Sequence, residues 1–493
     1  MKDKLIIFLK KYPLFLYLLP VFFVLHGAME NYDYVPLKDA TLLTGIYLAC
    51  SVFFMFLFRI LYKSWLKAAI IAFLIMAFHF FFGSVQDGLR NVFPGTLFSK
   101  YIFILPFSFC LLLLIIITLK KTKKSLQGLA FYLSLLFLLL ISIDVVLLAI
   151  KTMNAGKRTN ELAREFVPCS DCPKPDVYVI IADEYAGNKE LKDILHFDDS
   201  SFLNQLAKRD FHTLPNSSSN YNFTPYSIAS TLNMDYLDLD RTGKQPLLAY
   251  TYETIGNNKM LQFLHYHHYK FYNYSLSDFK GYPSPAQETF LPVKTRLITS
   301  QTFISRLEKE LRFHLIVNLK SKAEIKKNVY SSRNNNQKLL ELVSQASEEK
   351  TSQPKFILTH LMMPHYPYYY DKNGNEFPFE TLIEGNQLNQ HHYIEYLQYS
   401  NKKFLELVDH ILKSSAAPPI IILMGDHGFR HFNETIDPKY FFCNLVSVHL
   451  PNKDYSAFTD SLTNVNLLRT VLNISFGQRL PYLRDTTIIM DNP

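Results

Sequence analysis

The sequence of 493 residues has few cysteines, few glycines and few charged residues. Five cysteines are too few for a disulfide-stapled scaffold, and sixteen glycines without a repeat exclude a collagen-like chain. Only 19% of the residues are charged, which is below the usual quarter and favours a membrane protein. The 41 phenylalanines and 31 tyrosines, by contrast, provide ample apolar surface to bury, so the chain is not intrinsically disordered.

The net charge of +8 is not spread evenly along the chain. Residues 1–160 contain 17 Lys and Arg against 6 Asp and Glu, whereas the remaining residues contain 34 against 37. The basic character therefore comes from the first third alone. We expect no nucleic-acid partner, because a basic balance confined to one segment is poor support for such binding.

Five apolar runs of 18 to 22 residues occupy the first third of the chain. A bilayer core about 30 Å thick needs about 20 helical residues, so each run is long enough to cross it. The runs cover residues 12–29, 41–62, 66–83, 101–119 and 129–150. The sequence therefore predicts an integral, multi-pass transmembrane domain of five helices over residues 1–152.

The distribution of Lys and Arg in the short loops predicts the orientation of these spans. Basic clusters precede the first run, separate the second from the third, and separate the fourth from the fifth. With five spans, all three clusters fall on one side, which the positive-inside rule makes cytoplasmic. The chain beyond about Lys151 is then expected on the periplasmic or extracellular side of the cytoplasmic (inner) membrane.

Predicted strands alternate with predicted helices from Pro175 onward. Strand-like apolar runs cover residues 176–182, 356–361, 420–424 and 441–450. Helical periodicity covers residues 200–209, 252–265, 296–319, 334–349, 391–412 and 464–476. The alternation predicts a mainly parallel sheet sandwiched by helices in an α/β domain over residues 176–493.

A polar linker over residues 153–175 joins the two predicted domains. It contains Cys169 and Cys172, which are spaced for a small local disulfide or two unreactive thiols.

Two short segments in the first half of the α/β domain have polar residues that could bind an ion. Asp183 and Glu184 directly follow a buried strand, where a carboxylate is costly unless it is paired or bound to a cation. Thr224 precedes Pro225, which is typical of a helix start with Thr224 as the N-cap. The amides there favour an anion, although an ordinary turn and an ordinary cap explain each segment taken alone.

Two further segments follow strands in the second half. His360 and His365 flank a turn, where an imidazole can bind metal, hold a phosphoryl oxygen or transfer a proton. Asp426 and His427 together offer an oxygen and a nitrogen ligand, which suits zinc or manganese. Since ligands bind at the carboxyl ends of strands in such sheets, these residues are expected at one edge.

Together, the four segments resemble the alkaline phosphatase superfamily, especially its membrane branch of sulfatase-like enzymes. That branch includes lipoteichoic acid synthases and lipid A phosphoethanolamine transferases. The resemblance covers about residues 175–483, and five spans before an outside catalytic domain look like the same architecture. It implies an alkaline-phosphatase-like fold and one divalent metal ion, with zinc favoured and manganese as the alternative.

The resemblance also implies a metal site. Asp183 would bind the metal, with Glu184 as a substitute or second ligand. Thr224, about forty residues later, would be both nucleophile and metal ligand. Asp426 and His427 would complete the ligand set.

The same resemblance implies residues for substrate binding and proton transfer. His365 matches the histidine that contacts the transferred group, and either His365 or the neighbouring His360 would act as acid and then base. Arg430 would neutralise phosphate oxygens. No cysteine lies near Thr224, so the formylglycine chemistry of sulfatases is disfavoured.

The expected activity is that of a metal-dependent transferase. Thr224 would attack the head-group phosphorus of a membrane phospholipid, releasing diacylglycerol and leaving a phospho-threonine. A hydroxyl of lipid A or a surface glycan would then accept the phosphoethanolamine or phosphoglycerol unit. A membrane-tethered phosphodiesterase or sulfatase-like hydrolase, which uses water as acceptor, is the alternative, and a non-catalytic binding protein on the same fold is a less favoured third.

Overall fold

The computed structural model describes residues 8–158, 165–168, 172–240, 247–286, 289, 294–383 and 386–491. The chain forms two compact units. The helical unit comprises residues 1–156 and 292–321, and the sheet unit comprises residues 157–291 and 322–493.

The bounds of the α-helices, in chain order, are α1 Phe15–Glu30, α2 Leu37–Tyr62, α3 Trp65–Val92, α4 Tyr101–Lys121, α5 Gln127–Arg158, α6 Asn188–Asp193, α7 Ser200–Ala207, α8 Thr224–Asn233, α9 Leu247–Gly256, α10 Lys259–Tyr266, α11 Arg296–Thr299, α12 Phe303–Phe313, α13 Lys322–Val329, α14 Ser331–Glu348, α15 Gln390–Ser414 and α16 Asn464–Phe476. The strands are β1 Val177–Ala182, β2 His212–Thr213, β3 Lys270–Tyr274, β4 Lys355–Leu361, β5 Ile420–Gly425 and β6 Val446–His449.

Four helices of the helical unit are long and apolar enough to cross a membrane. They are α2, α3, α4 and the stretch Gln127–Met153 of α5. Helix α1 has 16 residues, about 24 Å at 1.5 Å per residue, because it begins at Phe15, after Pro13, and not at residue 12. The structure therefore confirms strongly apolar N-terminal helices, but the predicted count of five spans is not confirmed.

The helical unit also takes in a segment from much later in the chain. Residues 292–321 belong to it, although the sequence placed them in the α/β domain as part of one helix over 296–319. That helix is broken into α11 and α12, and between them the carbonyl of Gln301 accepts a hydrogen bond from the amide of Gly83 at 2.8 Å. The sheet unit is therefore made of two stretches of chain, which the segment of residues 292–321 separates.

The sheet unit is built on one six-stranded mixed sheet in the order β2-β6-β5-β1-β4-β3. The pairs β1–β4, β1–β5 and β3–β4 are parallel, whereas β5–β6 and β2–β6 are antiparallel. The prediction of a mainly parallel sheet thus fits the centre, while the β6 edge is antiparallel.

Both faces of the central strand are covered by apolar side chains. Val177, Val179 and Ile181 of β1 belong to one buried cluster, whereas Tyr178 and Ile180 belong to another. This alternation explains why the sequence of β1 is continuously apolar, as expected of a strand buried on both faces.

Several elements differ from the sequence prediction, and in two of them local interactions override the apolar pattern. The strand predicted over 441–450 is shorter, since residues Pro438–Phe442 form a 3-10 helix. The helix predicted over 252–265 is two helices, because the side chain of Asn258 accepts a hydrogen bond from the amide of Leu261 and starts α10. Strands β2 and β3 were not predicted.

The buried side chain of Lys355, the first residue of β4, caps the C-terminal end of the preceding helix, α14. Its buried Nζ donates to the carbonyls of Ala346, Ser347 and Glu349, each at 3.0 Å. Nζ also lies 3.5 Å from Oδ2 of Asp176, which precedes β1. A cation at the C-terminal end of a helix satisfies carbonyls that have no partner within the helix, so Lys355 links α14 to the sheet.

We predict that Lys355→Met destabilises the sheet unit by about 2 kcal/mol or more, because hydrogen bonds to a buried charge are lost and carbonyls are left unsatisfied. The full-length protein in detergent should unfold several degrees lower in a thermal scan. Lys350→Met, at an exposed position, is the control and should unfold like the wild type. Equal midpoints for the two variants would contradict this role of Lys355.

Candidate active site

The register of three parallel strands brings three sequence-predicted residues to one sheet edge. Ala182 of β1 is aligned with Gly425 of β5, so Asp183 and Asp426 follow at the same level. Ile181 is aligned with His360 of β4, which places this imidazole beside Asp183.

Asp183 and Asp426 are buried and incompletely hydrogen-bonded. Oδ2 of Asp183 lies 2.8 Å from Nε2 of His360, while its Oδ1 has no hydrogen-bond partner among the described residues. Oδ1 of Asp426 accepts the amide of Glu184 at 2.9 Å, and in the described chain its Oδ2 accepts no hydrogen bond. An ionised oxygen buried without a partner is costly, so the geometry favours a cation here.

The donor atoms of this group suit a divalent metal. One ligand atom each of Asp183, His360 and Asp426 lies within 4.8 Å of the others, and all three residues are buried. Two carboxylates and one imidazole are a donor set that zinc and manganese accept. The residues therefore fit the predicted metal, although His360 takes a place that the sequence analysis gave to Glu184 or His427.

Glu184 has a strained backbone that its neighbours hold in place. Its φ is +60°, in the left-handed region that costs a non-glycine residue about 1–2 kcal/mol. Its carbonyl accepts the hydroxyl of Tyr393 at 2.9 Å, and the same hydroxyl accepts the amide of Ala186 at 3.0 Å. Such strain is characteristic of functional sites, where surrounding contacts impose an unfavourable conformation.

The Glu184 side chain belongs to a second donor group with His365 and His431. Nε2 of His431 lies 3.3 Å from Oε1 of Glu184, and Nε2 of His365 lies 3.9 Å from Oε2. The side chains of His365 and His431 are 23% and 27% exposed, so this group is open to solvent on one side. The edge thus carries a fully buried donor group and a partly exposed one.

Thr224 and His427 form a close hydroxyl–imidazole pair. Oγ1 of Thr224 lies 3.1 Å from Nε2 of His427. Thr224 is the first residue of α8, and the cap is Phe223, so the predicted N-cap is displaced by one residue. The hydroxyl contacts His427 and makes no capping hydrogen bond, which explains the difference.

The tautomer of His427 follows from its other contact. Nδ1 lies 2.8 Å from the carbonyl oxygen of Gly428, which can only accept, so Nδ1 carries the proton. The lone pair of Nε2 therefore points at Thr224 Oγ1, and the same atom lies 3.3 Å from Oδ2 of Asp426.

The loop after Asp426 is tightly packed, which accounts for its glycine. A Cβ on Gly428 would come within 2.5 Å of the Tyr440 carbonyl oxygen and 2.6 Å of Oε2 of Glu190. Glu190 is fully buried and its Oε2 accepts the amide of Phe429 at 3.2 Å. Burial raises the pKa of Glu190 well above its usual value.

Arg430 lies between the two halves of the site. Its guanidinium carbon is 4.3 Å from the centre of the Phe223 ring, next to Thr224, and its Nε is 3.8 Å from Oε1 of Glu184. Within the described ranges this Nε has no hydrogen-bond partner. A guanidinium stacked on the residue before Thr224 suits a phosphate oxygen.

Burial and neighbouring charges shift the pKa values of the site residues in different directions. Burial raises the pKa of Glu184, whereas for Asp183 it is outweighed by neighbouring histidines, which hold its pKa below the usual range. Burial lowers the pKa of His427, and it lowers that of His431 to about 4. For His365, the carboxylates of Asp183 and Glu184 outweigh burial and raise the pKa.

All eight residues singled out from the sequence lie at this edge of the sheet. Their grouping differs from the expectation, because Glu184 is joined with His365 and His360 is buried against Asp183. His431 had no predicted role. A histidine four residues after His427 was the available signal.

Among the cysteines, Cys172 is disulfide-bonded, and Cys50, Cys110 and Cys443 are free. Cys169, the other residue of the predicted local pair, lies outside the described residues.

The chain matches no protein-family model and no curated protein. Among solved structures, it is similar to the C-terminal periplasmic domain of EcEptC from Escherichia coli, with 14% identity, a TM-score of 0.39, and coverage of 63% of this chain and 86% of that chain. It is also similar to the integral membrane protein lipooligosaccharide phosphoethanolamine transferase A of Neisseria meningitidis, with 12% identity, a TM-score of 0.35 and 95% of each chain covered.

A third similar structure is the putative sulfatase yidJ from Bacteroides fragilis, with 14% identity, a TM-score of 0.39, and coverage of 65% of this chain and 78% of that chain. Phosphoethanolamine transferases, which the sequence resemblance named, and a putative sulfatase are thus among the matches. At these identities and TM-scores the similarity carries no conclusion about chemistry, which is inferred below from the site itself.

We predict that the purified full-length protein retains one equivalent of a divalent metal and that Asp426→Asn loses most of it, because an amide is a weaker ligand than a carboxylate. Elemental analysis by mass spectrometry measures the metal. Glu190→Gln is the matched control, since it makes the same change of a carboxyl to an amide at an equally buried residue outside both donor groups. Equal metal content in all three proteins would show that the carboxylate pair does not hold the ion.

Proposed function

We propose that this chain is a membrane-anchored transferase that moves a phospholipid head-group phosphoryl unit through Thr224. The observation that supports this most strongly is the 3.1 Å contact between Thr224 Oγ1 and the lone pair of His427 Nε2. A threonine hydroxyl is a weak nucleophile and needs a partner that takes its proton or stabilises its alkoxide.

The His427 lone pair meets that need in either of two ways. It receives the proton of Thr224 directly, or it ligates a cation together with Thr224. Asp183 and Asp426, with His360 or His427, would hold this divalent ion, for which zinc is favoured and manganese is the alternative. When bound, the ion lowers the pKa of the hydroxyl and offsets negative charge on the phosphoryl group.

Transfer takes place in two displacements. Thr224 Oγ1 forms a bond to the head-group phosphorus, the phosphorus–oxygen bond to diacylglycerol breaks, and the leaving oxygen takes up a proton. A hydroxyl of lipid A or a surface glycan then attacks the phospho-threonine, gives up its proton and releases Thr224.

His365 is better placed than His360 to carry these protons. The Nδ1 of His365 donates to the Tyr366 carbonyl at 2.5 Å, and its side chain is 23% exposed, with Nε2 3.9 Å from Oε2 of Glu184. His360 is only 2% exposed and lies against Asp183. We therefore assign His365 as acid and then base, and His360 as a positioning residue for Asp183.

Arg430 and the start of α8 supply positive charge for the phosphoryl oxygens. The guanidinium stacks on the ring of Phe223, the residue before Thr224, and its Nε lies 3.8 Å from Oε1 of Glu184. The N-terminus of a helix adds a partial positive charge at the same point. The guanidinium and the helix N-terminus would attract the phosphate ester, so no basic protein surface is needed to bind it.

The membrane helices fit a lipid donor. Four apolar helices long enough to span a bilayer would anchor the chain in the membrane that contains the lipid donor. The Lys and Arg distribution favours the periplasmic or extracellular side of the inner membrane for the sheet unit.

Water is the competing acceptor, and its use would make the protein a phosphodiesterase. The partial exposure of His365 and His431 favours this second possibility, since solvent reaches that side of the site. Release of free head group, as opposed to a modified lipid or glycan, distinguishes the two.

We predict a covalent adduct on Thr224. The full-length protein is incubated with vesicles of mixed phosphatidylethanolamine and phosphatidylglycerol, quenched in acid and analysed by intact-mass and peptide mass spectrometry. The mass increase identifies the transferred unit, and diacylglycerol is released in equal amount.

Thr224→Ala should form no adduct and release no diacylglycerol, whereas Thr224→Ser should retain both reactions because it keeps the hydroxyl. Full activity of Thr224→Ala with bound metal would overturn the proposal. An inert wild type that binds metal and phospholipid without reaction would instead support a binding protein.

A further inference from the structure

A segment of the chain far from the N-terminal helices is built into the outer part of the helical unit. The ring of Phe303, at the start of α12, lies 5.2 Å from that of Phe78 and 5.1 Å from that of Phe82 on α3. Just before it, Ile298 of α11 is only 5% exposed and belongs to the apolar cluster of the membrane helices.

Polar contacts fix the same segment against α3. The amide of Gly83 donates to the Gln301 carbonyl at 2.8 Å, and a Cβ on Gly83 would come within 2.5 Å of that oxygen. Nη2 of Arg306 lies 2.5 Å from Oδ2 of Asp87, and the Tyr101 hydroxyl donates to the Arg306 carbonyl at 3.1 Å. Glycine at position 83 is therefore what allows the segment to approach so closely.

The position along α3 gives the depth of these contacts. Gly83 lies 18 residues after Trp65, the first residue of α3, which is about 27 Å at 1.5 Å per residue. A bilayer core is about 30 Å thick, so Gly83 lies near the end of the apolar layer opposite Trp65. Phe78 and Phe82 come before it, so α12 starts at the boundary between hydrocarbon and head groups.

Helix α12 is amphipathic, and its apolar stripe is uncovered. Ile304, Leu307 and Leu311 are spaced three and four residues apart and share one face. Ile304 is 63% exposed and Leu311 is 52% exposed. Lys309 lies on the opposite side of the helix, where a cation can reach lipid phosphates.

We propose that α12 is an interfacial membrane helix whose apolar stripe inserts into the lipid surface around the helical unit. The occupant is lipid because the helix starts at the bilayer boundary, its inner face is already fixed on α3, and its stripe continues the apolar surface of the membrane helices. The inference does not depend on the proposed activity.

A single tryptophan tests the depth of the stripe. The chain has only one tryptophan, so Trp65→Phe provides a silent background in which Leu311→Trp is the sole reporter. The full-length protein is reconstituted in phosphatidylcholine vesicles. We expect emission at short wavelength, strong quenching by lipids brominated near the glycerol backbone, and weak quenching by acrylamide.

Lys309→Trp in the same background is the matched control on the polar face, two residues away on the same helix. It should emit at longer wavelength, and its quenching by brominated lipid should be several-fold weaker than that at Leu311. Ile304→Trp repeats the measurement two turns earlier, in case the Leu311 variant does not fold.

Two results would overturn the proposal. Long-wavelength emission with strong acrylamide quenching at both apolar positions would mean that the stripe faces water. Short-wavelength emission without quenching by brominated lipid would mean that protein, and not lipid, covers it.

Discussion

Two buried carboxylates at the ends of adjacent strands impose the constraint on which the candidate site depends. The register of β1 and β5 holds Asp183 and Asp426 side by side. In each carboxylate, one oxygen has no hydrogen-bond partner among the described residues. Removing unpaired charge from water costs several kcal/mol per ion even after relaxation. The arrangement is therefore stable only when positive charge joins it, and a divalent cation supplies more of that charge than the single imidazole of His360.

The neighbouring residues are arranged around this charge. The Glu184 amide donates to Asp426 only because its backbone adopts a left-handed conformation, which Tyr393 stabilises. The Ser227 hydroxyl donates to the Asp426 carbonyl at 2.6 Å and so fixes the first turn of α8. Through that turn, Thr224 is held against His427. The proposed nucleophile, its partner and the candidate cation site thus share one rigid support, as pre-organised group transfer requires.

Much of this could be predicted from the sequence, for identifiable physical reasons. Strands buried on both faces have unbroken apolar sequences. For this reason β1, β4 and β5, and the polar residues that follow them, could be recognised. The pairing of His360 with Asp183 could not be predicted, because it depends on the register of two strands about 180 residues apart in the sequence. No local sequence pattern encodes that register. The break at Gln301 was missed for a similar reason, since it forms against Gly83 of a distant membrane helix.

The central claim is a transfer in two displacements through Thr224, and the stereochemistry at phosphorus tests it most directly. The head-group phosphorus of the phospholipid donor is made chiral, either by a sulfur substitution or with oxygen isotopes. After the head-group unit has been transferred to an acceptor, phosphorus NMR determines the configuration of the product. Each in-line displacement inverts the phosphorus, so the two-step route predicts net retention. Net inversion would mean that the acceptor attacks the donor directly, and it would contradict a covalent phospho-threonine.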